Sequence, residues 1–179
     1  RLSAEGTINE KVALEYALGD SLSGKRSAVL VKNVGLNACA DPLVNATTQG
    51  LRAGVVIVAG DDVDVLGSQN AEDSRYYGEL AQVPVLEPDA GSCHQAVEEA
   101  FRASERFSRI AILRLTPALL ESDVPGGSAE RASGTGALAD PNLTMAGRVA
   151  EADRVAREMF AWSRTSPLNR FPGPPVGVG

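Results

Sequence analysis

The chain has 179 residues, 44% of them hydrophobic, and a formal net charge of −6. That length supports one real core with an extension. The acidic balance argues against nucleic acid or an anionic membrane as the main partner. Two cysteines, Cys39 and Cys93, are too few for a disulfide framework or a four-cysteine metal site. No apolar run reaches bilayer length, and "RLSAEGTINEK" lacks the apolar centre of a signal peptide, so a cytoplasmic location is expected. A first residue other than Met and the ending "GPPVGVG" read as a piece of a longer polypeptide.

The elements alternate. A short apolar stretch at "GTIN" leads into a helical pattern through "EKVALEYALGDSLSG", with Asn9 as its cap and Gly24 as its stop. Val12 and Tyr16, Ala13 and Ala17, and Leu14 and Leu18 stand four apart and form one broad apolar face. "SAVLVKN" is a buried strand, apolar without alternation, as parallel sheets require. A helix from about Asn37 to Gln49 follows, then the strand "GVVIVAG". The loop "DDVDVLGS" opens a helix over "QNAEDSRYYGELAQ". "VPVLEP" is a short strand, "AGSCHQAVEEAFRASERFS" a helix and "RIAILRL" the last clear strand. Strand–helix repetition with short connections predicts an α/β fold: a parallel sheet with helices on both faces, over residues 1–116. Residues 117–142 are rich in Gly, Ser, Ala and Pro and read as a flexible linker. Residues 143–179 read as an amphipathic helix and a Pro-rich tail leading to a further domain.

In open parallel sheets, ligands bind beyond the carboxyl ends of the strands. Four stretches then matter: Asn9–Glu10, Lys32–Asn37, Gly60–Asn70 and Glu87–Ser92. None carries a phosphate loop, a dinucleotide fingerprint or a nucleophile elbow. His94, the single histidine, falls within a helical pattern and reads as a helix-face residue. Cys39 and Cys93 read as small packed side chains. Asp61, Asp62 and Asp64 read as a solvated acidic turn in preference to a metal site. On position alone, Glu10 is a first-turn acid favouring the helix dipole, worth about 0.3–1 kcal/mol.

The strings "INEKVALEYALGDSLSGKRSAVLVKNVGLNACADPL" and "VVIVAGDDVDVLGSQNAEDSRYYGELAQVPVLEP", with "SPLNR" later, change that balance. From about Thr7 to Leu115, and again at "PLNR", the chain resembles the thiamine-diphosphate subunit of indolepyruvate ferredoxin oxidoreductase, within the 2-oxo acid ferredoxin oxidoreductase family. The likeness falls on that family's pyrimidine-binding domain. The opening strand and helix of the family are absent from the sequence, as are its G-D-G…N metal motif and its cysteine-rich iron–sulfur region.

The resemblance implies the following expectations. Thiamine diphosphate is the cofactor, with Mg2+ and iron–sulfur clusters on parts outside this chain. Glu10, the acid of the "NE" pair, is catalytic: it grips the pyrimidine ring nitrogen in a dry pocket and shares a proton with it. Glu15, further along the helix, lies on its flank. Asn33, Val34, Gly35, Leu36 and Asn37 lie against the cofactor: Gly35 for close backbone approach, Leu36 for an apolar contact, the two Asn for hydrogen bonds, with helix capping as the plainer role of Asn37. Gln69, Asn70 and Arg75 bind substrate, Arg75 forking onto a carboxylate. Pairing of Arg75 with Glu72 or Glu79 is the plainer alternative, and Tyr76 and Tyr77 serve packing or an interface. The partners are a pyrophosphate-binding domain or subunit, ferredoxin, a 2-oxo acid and coenzyme A, in an oligomer. The implied activity is oxidative decarboxylation of aryl 2-oxo acids to acyl-CoA. Asn33 stands where the family more often has His and where sulfopyruvate and phosphonopyruvate decarboxylases have Asn, so a non-oxidative decarboxylase is the alternative. A non-catalytic partner subunit is a second one.

Overall fold

A computed structural model describes residues 4–64, 69–124, 126–127 and 133–169. The Pro-rich tail over 170–179, the loop positions 65–68, and positions 125 and 128–132 of the expected linker lie outside the described residues. In chain order the elements are α1 (Glu10–Leu22), β1 (Ser27–Lys32), α2 (Asn33–Gln49), β2 (Val55–Gly60), α3 (Arg75–Ala81), β3 (Val85–Leu86), α4 (Cys93–Phe107), β4 (Ala111–Leu115), α5 (Pro117–Leu120) and α6 (Met145–Thr165).

The described strands form one all-parallel sheet in the order β1-β2-β4-β3. Helices cover both faces of β2 and β4. Strand β1, expected as a buried strand, lies at the sheet edge with Val29 as its buried residue and Leu30 77% exposed. Alternate residues of β2 and β4 serve opposite cores. Val55, Ile57 and Ala59 with Ile112 meet Leu14, Leu36, Cys39 and Leu43 of α1 and α2. Val56 with Ala111 and Leu113 meets Ala96 and Ala100 of α4. The alanines of α4 let its backbone lie close to the sheet.

Two buried serines stitch the helices to the entry of β2. Ser21 Oγ donates to Ala53 O at 2.7 Å and accepts from Ala53 N at 3.1 Å. Ser104 Oγ accepts from Val55 N at 3.0 Å and donates to Val55 O at 3.1 Å. Each hydroxyl satisfies a peptide group that the ladder leaves open. The end of α1 follows its composition: Gly24 takes φ +79°, the left-handed stop that a Cβ would strain.

Several expectations are corrected. The stretch before α1 is irregular, with Ile8 fully exposed. Tyr16 points outward, 69% exposed, so the buried face of α1 is narrower than its sequence suggested: Leu14, Ala17 and Ser21. The helix opening at Gln69 forms only from Arg75. Within the segment read as linker, Gly136 N donates to Arg52 O and Ala139 N to Gln49 O, so this part lies along the turn between α2 and β2. Helix α6 docks on α4 through Val155 and an edge-on Trp162–Phe107 contact, ring centroids 5.6 Å apart.

Candidate functional site at the carboxyl ends of the strands

Asn9 caps α1, its side chain accepting from Lys11 N at 2.8 Å, and Glu10 follows as the first helical residue. Glu10 is partly buried and its side chain lies across the first turn of α2. A Cβ placed on Gly35 would stand 2.8 Å from Glu10 Cγ and 2.9 Å from Oε1. The glycine therefore admits the acid itself. Cys39 Sγ, one turn on, donates to Glu10 O at 3.3 Å. Burial, then the charge of Glu10, pushes the Cys39 thiol up to about 11, which makes it a packed and unreactive group. Glu15 is exposed on the helix flank.

The "NVGLN" stretch is the first turn of α2, beginning at Asn33 directly after β1, with Lys32 as its cap. Gly35 and a β-branched neighbour lower helix propensity, which hid this start. Asn37 is therefore not the cap. Leu36 is fully buried in the core between α2 and the sheet, so its side chain does not reach outward to a ligand. Val34 is partly buried. Asn33, 1% exposed, accepts from Val34 N at 2.9 Å and donates to Asn70 O at 3.3 Å.

Asn37 turns toward the neighbouring loop. Its Nδ2 donates to Glu72 Oε1 at 2.7 Å, and its Oδ1 accepts from the Tyr77 hydroxyl. Asn70 Nδ2 also donates to Glu72 Oε1, at 3.1 Å. Asn33, Asn37, Asn70, Glu72 and Tyr77 thus form one polar cluster joining two strand-end segments. Gln69 and Asn70 are exposed at its rim. Glu72 Oε2 is shut from solvent and has no hydrogen-bond partner among the described residues. Glu72 escaped the sequence reading because an acid beside Asp73 looks like a helix flank.

Asp61 is no solvated turn residue: it is 2% exposed, and Asp62 9%. The cause is Arg114 on β4, itself 4% exposed, whose guanidinium donates to Asp61 and Glu87. Burial pulls that guanidinium down in pKa, but its bonds to the two acids outweigh this and raise it. Asp61 also accepts from Ser74 N at 2.9 Å and from the Ser74 hydroxyl. Arg75 pairs with Asp73 rather than with Glu72 or Glu79. The hydrogen bonds from Arg75 bring the Asp73 carboxyl down to about 2. Tyr77 packs on the core, whereas Tyr76 is 70% exposed. His94 is exposed on α4.

The site therefore offers an acid lodged against a glycine, amides and a second acid beside it, and an exposed arginine anchored by an aspartate. No helix among the described residues is long and apolar enough to cross a membrane.

No protein-family model matches the chain. Curated relatives do. It is 45% identical over 113 residues to the indolepyruvate oxidoreductase subunit IorA of Archaeoglobus fulgidus, covering 62% of this chain and 18% of that protein. The IorA subunits of Thermococcus kodakarensis and Methanothermobacter marburgensis are 44% identical over 115 residues and 42% over 113, each covering 63% of this chain and 18% of theirs. The chain thus spans about a fifth of the length of these relatives. Over that stretch it is related to the IorA subunits of indolepyruvate oxidoreductase, the family its motifs resemble.

Proposed function

We propose that this chain is the pyrimidine-binding part of a thiamine-diphosphate-dependent oxidoreductase subunit acting on aryl 2-oxo acids of the indolepyruvate type, with acyl-CoA and reduced ferredoxin as products. The observation that carries this reading is the lodging of Glu10 against Gly35 at the carboxyl end of the sheet. An acid seated across this turn suits a ring nitrogen of a ligand as its partner. When bound, thiamine diphosphate would supply the nucleophilic carbon and the electron sink that decarboxylation of a 2-oxo acid needs.

The chain's own residues bind and orient. Glu10 holds a proton at the pyrimidine nitrogen. The first turn of α2, with Val34, Gly35 and Asn37, lies beside it, and Asn33 supports that turn from within. Gln69, Asn70 and Arg75 face the substrate side, with Arg75 taking the acid group. A pyrophosphate-binding domain or subunit would complete the site and hold Mg2+, and iron–sulfur clusters outside this chain would serve as electron acceptors. We place the assembly in the cytoplasm as an oligomer. Asn33 bonds to Asn70 and Val34, and the non-oxidative decarboxylase it suggests stays as the alternative.

The test is Glu10→Gln in the full-length protein assembled with its partners. Turnover of indolepyruvate should fall about 100-fold or more, the range of a lost acid–base contact. Unchanged turnover would return Glu10 to the plain role of a first-turn acid and favour a non-catalytic subunit. Aldehyde formation without ferredoxin reduction by the unaltered assembly would favour the non-oxidative alternative.

A further inference from the structure

We infer that Asp73, backed by the buried Arg114, is the positioning residue that turns the outer edge of the Arg75 guanidinium toward a ligand carboxylate. This rests on the reading that Arg75 takes the acid group of a 2-oxo acid.

The geometry is a graded line of charges from core to surface. The Arg114 side chain is 4% exposed, that of Asp73 16% and that of Arg75 62%. Arg114 Nε stands 3.7 Å from Asp73 Oδ1. Arg75 Nε is 2.9 Å from both Asp73 oxygens, and Arg75 N donates to Oδ1 at 3.0 Å. Its Nη2 completes the fork on Oδ2. Asp73 thus holds the Nε–Nη2 side of the guanidinium. A planar guanidinium carries five N–H donors. The edge formed by Nη1 and the second Nη2 hydrogen faces away from Asp73, and that edge matches a carboxylate in two-point contact.

The base of this arm is rigid. Ser74, between the acid and the arginine, is 1% exposed and bonds to Asp61 through both its N–H and its hydroxyl. Asp61 and Glu87 share Arg114. Three consecutive residues, Asp73 to Arg75, are therefore tied to one buried guanidinium at the end of β4. An exposed arginine ordinarily loses rotamer freedom when it binds a ligand. Here Asp73 has already removed much of that freedom, and Arg114 keeps the carboxylate compensated when Arg75 turns its charge to a second anion. The ligand class that fits is a planar monoanion, the carboxylate of the 2-oxo acid.

The experiment is a mutant cycle on the full-length protein in its assembled complex. It reads kcat and KM for indolepyruvate, and thiamine-diphosphate affinity by calorimetry. Arg75→Ala is expected to raise KM by about tenfold or more, the cost of a lost charge-assisted contact. Asp73→Asn is expected to raise KM about tenfold with kcat changed far less, to leave cofactor affinity unaltered, and to add nothing in the Arg75→Ala background. An Asp73→Asn penalty that persists undiminished without Arg75, or that falls on kcat or cofactor affinity, overturns the inference. Should Asp73→Asn fail to assemble, Asp73→Glu decides: its extra methylene displaces Arg75, so an unchanged KM overturns the inference and a raised KM supports it. An Arg75→Ala variant with unaltered KM sinks the carboxylate reading of Arg75 and this inference with it, whereas the cofactor reading stands or falls separately on Glu10.

Discussion

Glu10 and Gly35 are coupled by shape. The glycine exists where a methyl group would meet the Glu10 side chain at 2.8 Å, closer than carbon atoms pack without a shift. Helix propensity alone would make Gly35→Ala stabilising by about 0.5–1 kcal/mol. We expect the opposite sign at the site. The added methyl pushes Glu10 off the turn, so thiamine-diphosphate affinity of the assembled protein should drop while thermal stability changes little. Equal cofactor affinity in wild type and Gly35→Ala would show that Glu10 does not need this seat. Gly35 and the Asn residues of its turn were legible in the sequence as a place of close approach. The approaching group was not, because which side chain enters a glycine's space depends on the crossing of α1 over α2.

At the scale of elements, α1 and α4 hold the sheet through serine hydrogen bonds in addition to apolar contacts. Ser21 and Ser104 face the sheet from opposite sides and complete the hydrogen bonding of Ala53 and Val55. Ser104→Ala would leave a buried N–H and a carbonyl short of partners. The expected loss is about 1–2 kcal/mol, read as a lower denaturant midpoint at constant slope. A loss well under about 0.5 kcal/mol would mean that water or a shifted backbone repairs the gap. Periodicity pointed to both helices, yet both serines sat unnoticed within them, since a serine on a helix reads as surface until the neighbouring strand is in place. Helix α2 shows the converse. Its true start at Asn33 was obscured by Val34 and Gly35, which lower helix propensity.

Across the whole molecule, most ion pairs are exposed, and two groups lie inward: Arg26 with Glu105, and Arg114 with Asp61, Asp73 and Glu87. Burial pushes the Glu105 carboxyl up, but hydrogen bonds from Arg26, Gly54 N and Thr135 outweigh it and bring it below its usual range. The hydrogen bonds from Arg75 bring Asp73 down as well, to about 2. A carboxyl depressed in the folded state stabilises fully above its unfolded pKa of about 3.9–4.3 and loses that contribution as pH falls through the folded value. Stability should therefore be level from neutral pH to about 5 and decline below about 4, followed as the thermal midpoint in a pH series. A decline already complete between pH 7 and 5 would place the controlling groups elsewhere.

The alternation of apolar runs and helical patterns was sufficient to specify a parallel sheet with helices on both faces, because a strand buried on two sides must be apolar throughout. Local strings were likewise enough to bring Glu10 and Gly35 to one place and to point to the IorA subunits that the chain is similar to. Only the tertiary structure decided that Leu36 belongs to the core, that Asp61 is held by Arg114, and that Arg75 leans on Asp73. Asp61 and Arg114 stand 53 positions apart and meet because β2 and β4 lie side by side, which no local period encodes; Asp73 and Arg75 are only two apart, but the turn that sets their pairing is held by the bonds of Ser74 to Asp61.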